Sequence, residues 1–157
     1  YDLVAVFNLG AEAREHRLEW GLLGLDPDEP RLIREFWTGE TLGICRGLAT
    51  VMVPAHSVRL YTLWPLLGRP QFVGTDLHLS QGLVELAGLG WDEAEGRLAG
   101  RLVRAAGIEG RVYLHLPPAW QPVTASYPLR RESGGLWSLP VRFEEKELDW
   151  EIRCRRV

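Results

Sequence analysis

The sequence predicts an all-β chain of two packed antiparallel β-sandwich units with Greek-key-like connections. Two observations support this fold class: apolar and charged residues alternate in short runs, and glycines and prolines interrupt the longer apolar stretches. The 157 residues are enough to bury a core in one domain or in two small ones. They are too few for a complete (β/α)8 barrel, which needs about 250 residues.

The alternation is clearest near the C-terminus, where charged residues separate Leu148, Trp150, Ile152 and Cys154. A period of two predicts a half-buried antiparallel strand over these positions. Comparable runs bounded by turn residues bring the expected total to about a dozen strands. Among them are Gly47–Val53, Val58–Trp64, Leu98–Val103, Arg111–Leu116 and Trp137–Phe143.

The N-terminal run Leu3–Phe7 is apolar at every position, which is typical of a central strand covered on both faces. Helix is disfavoured in Leu83–Ala106, because repeated glycines each cost about 1 kcal/mol relative to alanine in a helix. Two prolines and a glycine in Pro65–Pro70 mark the best boundary between β-rich halves. We therefore expect one β domain over residues 1–66 and a second sandwich unit over 70–157.

Charge and motif content narrow the possible functions. The net charge of −3 gives no electrostatic attraction to phosphate backbones, so nucleic acid is not an expected partner. No apolar stretch approaches the roughly 20 residues of a membrane span, so we expect a soluble segment without a membrane partner, with a cytoplasmic location slightly favoured. The chain starts without Met inside an apolar run, which suggests a piece of a longer protein. Phosphate-loop, dinucleotide and zinc-protease motifs are absent, and no cofactor is expected.

Catalytic groups are not evident in the sequence. No serine lies in a nucleophile motif, and the acidic residues cluster in solvated turns around Asp26–Glu29 and Glu144–Glu147. Cys45 and Cys154 are too few for a disulfide framework or a metal site, and buried free thiols are the favoured interpretation. The sequence therefore predicts neither a catalytic residue nor a metal ligand set.

The densest polar stretch runs from Gly74 to Gly82, where Asp76, His78 and Ser80 alternate with leucines and are expected to share one strand face. Asp76 and His78 are candidate sugar or interdomain contacts. The favoured alternative is a polar seam in which Asp76 and His78 pair with each other, while Thr75 and Ser80 bond to backbone groups.

The seven tryptophans divide into two groups. Trp20, Trp64, Trp137 and Trp150 alternate in phase with leucines and are expected in the cores. The remaining three lie beside turns or prolines and are expected to be exposed: Trp37, Trp91 and Trp120. Each exposed ring could stack on a sugar, but burial against a partner domain is the favoured role.

Several short motifs in the first half carry a family resemblance, in the order Val6–Gly10, Leu22–Asp26, Glu35–Glu40, Leu42–Gly43, Val53–His56 and Arg59–Tyr61. Their order resembles the all-β domain that follows the catalytic (β/α)8 barrel in glycoside hydrolases of the melibiase, or α-galactosidase-like, type. The resemblance is strongest over residues 3–82. It also extends to Val112–Pro117.

This resemblance implies that the chain is a non-catalytic C-terminal β-sandwich region and that the catalytic carboxylates belong to a barrel in the same parent chain. The expected partner is that barrel, covered by an apolar face with residues such as Phe7, Leu23 or Trp37, and the second expected partner is an oligosaccharide. The alternative is a free-standing carbohydrate-binding module that uses exposed tryptophans. An unrelated adhesion sandwich is the third possibility, because fold alone does not determine function.

Overall fold

A computed structural model describes residues 1–157 of the chain. It contains 14 β-strands, all paired antiparallel where paired, and a single 3₁₀ turn at Ser133–Gly135. The predicted all-β fold of antiparallel sandwich units is confirmed. The chain divides into two compact units, Tyr1–Leu66 (unit 1) and Leu67–Val157 (unit 2). No helix in the structure is long and apolar enough to cross a lipid bilayer.

Unit 1 contains six strands in two sheets. They are β1 (Asp2–Asn8), β2 (Arg14–Glu19), β3 (Arg31–Glu35), β4 (Thr41–Cys45), β5 (Leu48–Val53) and β6 (Ser57–Pro65). One sheet has the order β1-β6-β3-β4, and the other is the β2-β5 pair. Apolar side chains from both sheets form its core, and the fully buried members are Trp20, Ile33, Val53 and Leu63.

The first strand differs from the prediction. β1 is an edge strand that pairs only with β6, and it is not covered on both faces. Val6 and Asn8 are buried on one face, whereas Leu3 and Phe7 on the other face are 42% and 62% exposed. Apolar residues at every position indicated burial on both faces, but here they form one core face and one exposed apolar face.

Unit 2 contains eight strands in two four-stranded sheets. They are β7 (Gln71–Thr75), β8 (Leu86–Asp92), β9 (Arg97–Val103), β10 (Glu109–His115), β11 (Trp120–Ala125), β12 (Arg130–Arg131), β13 (Leu136–Arg142) and β14 (Glu147–Arg156). The sheet orders are β12-β13-β10-β7 and β11-β14-β9-β8.

The two sheets of unit 2 meet in an apolar core. The Phe72 ring on β7 stacks on the Trp150 ring on β14, with centroids 6.0 Å apart. The alternation predicted for the C-terminal strand is present, because Leu148, Trp150, Ile152 and Cys154 are buried while the intervening residues point to the opposite face. Each buried apolar side chain contributes roughly 1.5–3 kcal/mol through removal from water.

Candidate functional site

A carboxylate shapes the hairpin that presents Trp37 in unit 1. The Thr38 amide and the Thr38 hydroxyl donate to the Glu35 carboxylate at 2.6 and 2.8 Å, and the Leu60 amide donates to it at 3.3 Å. Glu35 is only 1% exposed, and Gly39 closes the turn with a φ of +71°. Phe36 packs edge-on against Trp37, which remains 55% exposed. The hydrogen bonds to Glu35 therefore stabilise a turn that leaves the Trp37 indole exposed to solvent.

Asn8 holds the loop after β1. Its amide group donates to the carbonyl oxygens of Glu12, Val53 and Pro54 at 2.7, 3.0 and 3.0 Å, and its carbonyl accepts from the Gly10 amide at 3.0 Å. Asn8 is 4% exposed, so this buried amide has its hydrogen-bonding capacity used. The neighbouring side chains Phe7 and Leu9 are 62% and 83% exposed.

The strand pairing brings Phe7, Leu9 and Trp37 to the same end of unit 1. Asn8 pairs with Ser57 at the start of β6, and the Phe36 amide donates to Leu60 on the same strand. We call these three side chains the apolar end.

Leu23 does not join the apolar end. It follows β2, whose last residue Glu19 pairs with Leu48 at the start of β5. That position is opposite to the end where Asn8 bonds to Val53, the last residue of β5. Leu23 is 38% exposed, so it belongs to a separate surface.

The polar stretch after β7 is not a strand. β7 ends at Thr75, and the chain turns through residues 76–85 before β8 begins. Gly74 and Gly82 have φ values of +125° and +129°, a region that favours glycine, and Gln81 has a φ of +51°. The expected common strand face for Asp76, His78 and Ser80 is therefore wrong, because these glycines allow the backbone to turn.

Asp76 and His78 also have partners other than each other. The Arg111 amide donates to Asp76 at 2.6 Å, and the Tyr113 hydroxyl donates to it at 3.2 Å. His78 Nδ1 lies 2.9 Å from the Ser80 hydroxyl and accepts from the Ser80 amide at 3.1 Å. The structure thus separates them into two local networks instead of the predicted Asp76–His78 pair.

The tryptophans expected to be exposed differ in burial. Trp37 is exposed, Trp91 is half-buried and Trp120 is only 8% exposed. Trp120 packs edge-on against Trp91 with centroids 5.2 Å apart, and the Arg156 guanidinium lies 6.0 Å from its ring. The prolines near Trp120 indicated an exposed loop, but its ring is buried beside β14.

Of the tryptophans expected in the cores, Trp20 and Trp150 are fully buried, whereas Trp64 and Trp137 are half-buried. The Trp20 indole donates to the Glu29 carbonyl at 3.2 Å. Trp64 stacks on Tyr1 with centroids 4.1 Å apart, and Arg131 lies over the Trp137 ring. The predicted core position is therefore correct for Trp20 and Trp150 and wrong for Trp64 and Trp137, which are partly exposed.

Both cysteines are free thiols. Cys154 is buried, and burial raises the pKa of its thiol to about 11. Burial also raises the pKa of the half-buried Cys45. High pKa values keep both thiols protonated and weakly nucleophilic at neutral pH.

Comparison with known protein families gives a match to the first half of the chain. Residues 2–63 match the alpha galactosidase C-terminal beta sandwich domain. This match confirms the family resemblance over unit 1. In alpha-galactosidases the matched domain is the C-terminal sandwich and not the catalytic barrel. No curated protein matches the chain.

The alpha galactosidase C-terminal beta sandwich domain match spans the strands from β1 into β6 and includes both the Glu35 hairpin and the apolar end. The sequence motifs had indicated this family for the first half of the chain. They did not indicate a second feature, a pair of open depressions in unit 2 lined by arginines, carboxylates and Tyr127. The residues that line each depression lie on four separate segments of the chain, so no local spacing in the sequence could reveal the depressions.

Proposed function

We propose that this chain is the non-catalytic C-terminal β-sandwich region of a glycoside hydrolase resembling the α-galactosidases, and that unit 1 stabilises the catalytic barrel by covering it. The match of residues 2–63 to the C-terminal sandwich domain carries this proposal. The apolar end supports it, because Phe7, Leu9 and Trp37 are large apolar side chains left in solvent on one end of that unit.

The energetics favour burial of these side chains against another domain. Removing apolar surface from water contributes about 25 cal/mol per Å², and a domain joined by the same chain loses less freedom on contact than a separate partner. Two rings, Phe7 and Trp37, provide large surfaces with few rotatable bonds. The Glu35 and Asn8 networks hold both segments in place before contact, which further lowers the ordering cost.

The coding sequence upstream of Tyr1 provides the first test. The proposal requires an open frame of about 250 codons or more with alternating strand and helix patterns, as a (β/α)8 barrel needs. A start codon or signal peptide directly before Tyr1 would contradict the proposal and favour a free-standing module.

The second test places Phe7→Ser and Trp37→Ser together in the full-length protein. We expect a lower melting temperature for the barrel, measured by calorimetry. Serine side chains would bury less apolar surface against the barrel than the Phe7 and Trp37 rings do. Leu89→Ser is the matched control, since Leu89 is a 50% exposed side chain on the edge strand β8 of unit 2. Equal melting temperatures for the double variant and the control would exclude the covering role.

A further inference from the structure

We propose that unit 2 contains a binding site for a neutral oligosaccharide, formed by two adjoining surface depressions that meet at Ser126 and Tyr127. The proposal concerns residues outside the 2–63 match and does not depend on how unit 1 contacts a barrel. Of the expected sugar contacts, Trp91 lines the first depression and Asp76 lines the second, whereas Trp120 is buried.

The first depression lies on the outward face of β8, β9 and β14. It has a volume of about 520 Å³, and Gly90 and Ala99 contribute little or no side chain to it. Arg101 and Asp149 face each other across β9 and β14 at its side. Small residues between long polar ones leave a shallow depression with hydrogen-bonding groups along its sides.

The second depression has a volume of about 680 Å³ and lies where β10 begins and β13 ends. Asp76, Arg111, Tyr127 and Arg142 line it. Both volumes fall within the roughly 300–1,000 Å³ that small-molecule sites occupy.

Ser126 lines the first depression and Tyr127 lines the second, so consecutive residues join the two. Burial raises the pKa of Tyr127, and the negative charge of Asp149 raises it further. Asp149 itself lines the first depression. The two depressions therefore adjoin at this turn, an arrangement suited to a chain of sugar rings, and we call them together the trough.

Three polar side chains of the trough, Arg101, Asp149 and Ser126, are held by hydrogen bonds. The Arg101 guanidinium donates two hydrogen bonds to Asp149 at 2.7 and 3.0 Å, an arrangement that lowers the pKa of Asp149. The Ser126 hydroxyl donates to the Glu151 carbonyl at 3.1 Å and accepts from the Glu151 amide at 2.7 Å. Groups held before binding lose less side-chain entropy when a ligand arrives.

The charge pattern favours a neutral ligand. Six carboxylates and four guanidinium groups line the trough. The four arginines, Arg97, Arg101, Arg111 and Arg142, each lie within 4.0 Å of a carboxylate. An anion would face an excess of carboxylates and would have to displace them from the arginines. No group of three or more histidine, cysteine, aspartate or glutamate side chains is placed to hold a metal ion.

Sugar hydroxyls suit these groups, because each hydroxyl both donates to a carboxylate and accepts from a guanidinium. The half-buried ring of Tyr127 offers an apolar surface for the C–H face of a sugar ring. Donors and acceptors beside an aromatic ring, in a trough whose four arginines are paired with carboxylates, are the chemistry that recognises a neutral oligosaccharide.

The test titrates the ¹⁵N-labelled 157-residue chain with galactotriose, cellotriose and trigalacturonate while amide shifts are recorded. We expect at least one neutral trisaccharide to shift the amides of Gly90, Gly100, Ser126 and Tyr127, and trigalacturonate to bind at least about tenfold more weakly. No shift with either neutral sugar at millimolar concentration, shifts confined to other residues, or tighter binding of trigalacturonate would overturn the proposal.

Variants separate the two contact types. Tyr127→Ala and Arg101→Ala are each expected to weaken binding about tenfold or more, whereas Tyr127→Phe keeps the ring and stays within about twofold of the wild type. Arg17→Ala is the matched control, because Arg17 is an exposed strand arginine that pairs with Glu19 at 3.3 Å in unit 1. The proposal would be overturned if Tyr127→Ala and Arg101→Ala bound the sugar with the same dissociation constant as the control, because the sugar would then bind elsewhere.

Discussion

Trp150 on β14 and Gly100 on β9 are cross-strand partners, and the Trp150 indole fills the space that a side chain at position 100 needs. A Cβ atom added to Gly100 would lie 2.7 Å from Cζ2 of Trp150. Trp150 is 2% exposed and also stacks on Phe72, so the ring has little room to move. The glycine at position 100 is therefore required by packing in the core of unit 2.

Gly100→Ala is expected to lower the free energy of unfolding by about 1–3 kcal/mol, because it overpacks this contact. Urea unfolding followed by tryptophan fluorescence measures the change. Gly88→Ala on the neighbouring strand β8 is the control, since no atom lies within 4 Å of a Cβ added there. Equal losses for the two variants would contradict the packing account.

Glu35→Ala removes the acceptor for the Thr38 and Leu60 amides. We expect a loss of about 1–3 kcal/mol in the free energy of unfolding, because partly buried donors lose their partner. Thermal unfolding of the chain measures it. Glu35→Gln keeps one acceptor oxygen and is expected to lose less, so a larger loss for glutamine than for alanine would argue against this role of the carboxylate.

His115 makes the stability of unit 2 depend on pH. Burial lowers its pKa below the ordinary value of 6.5, so the unfolded chain binds a proton at a pH where the folded chain does not. This contribution to stability is complete above pH 6.5 and is lost as the pH falls towards the lowered pKa.

His115→Gln is accordingly expected to show a shallower fall in the free energy of unfolding below pH 6.5 than the wild type. Urea titrations at several pH values on both sides of 6.5 measure the slope. Parallel curves for the variant and the wild type would show that another group causes the pH dependence.

Cys154 is expected to resist thiol reagents in the folded chain. It is 5% exposed, and its pKa of about 11 leaves little thiolate at pH 8. Labelling with a chromogenic disulfide reagent should modify Cys154 only at the rate of unfolding, and both cysteines rapidly in denaturant. Cys45→Ser isolates this signal, and fast labelling of that variant in native buffer would contradict the burial of Cys154.

The sequence was sufficient for the strands whose pattern is strictly local. Residues 148–154 alternate without interruption, and the structure has a strand over Glu147–Arg156 with the same core face. The family motifs around Phe7 and Glu35 were likewise readable, because turns and short strands depend on nearby residues. Both kinds of signal survive because the surrounding fold reinforces the local preference.

Features that depend on residues distant in the sequence could not be predicted from it. The alternation from Asp76 to Ser80 imitates a strand, but positive φ values at Gly74 and Gly82 redirect the chain. The burial of Trp120 depends on Trp91 and on the backbone of β14, which are distant in sequence. The trough in unit 2 depends on pairings such as Arg101 with Asp149, 48 positions apart.

The three carbonyl oxygens bound by Asn8 have a consequence for the opening motions of unit 1. Asn8 belongs to the four-stranded sheet, whereas Val53 ends a strand of the β2-β5 pair, and an isolated pair of strands is marginally stable in water. The amide therefore couples the smaller sheet to the larger one. Backbone amide protons of β2 and β5 are expected to exchange with solvent in a single cooperative event shared with β1, and not by independent fraying of the two-stranded sheet.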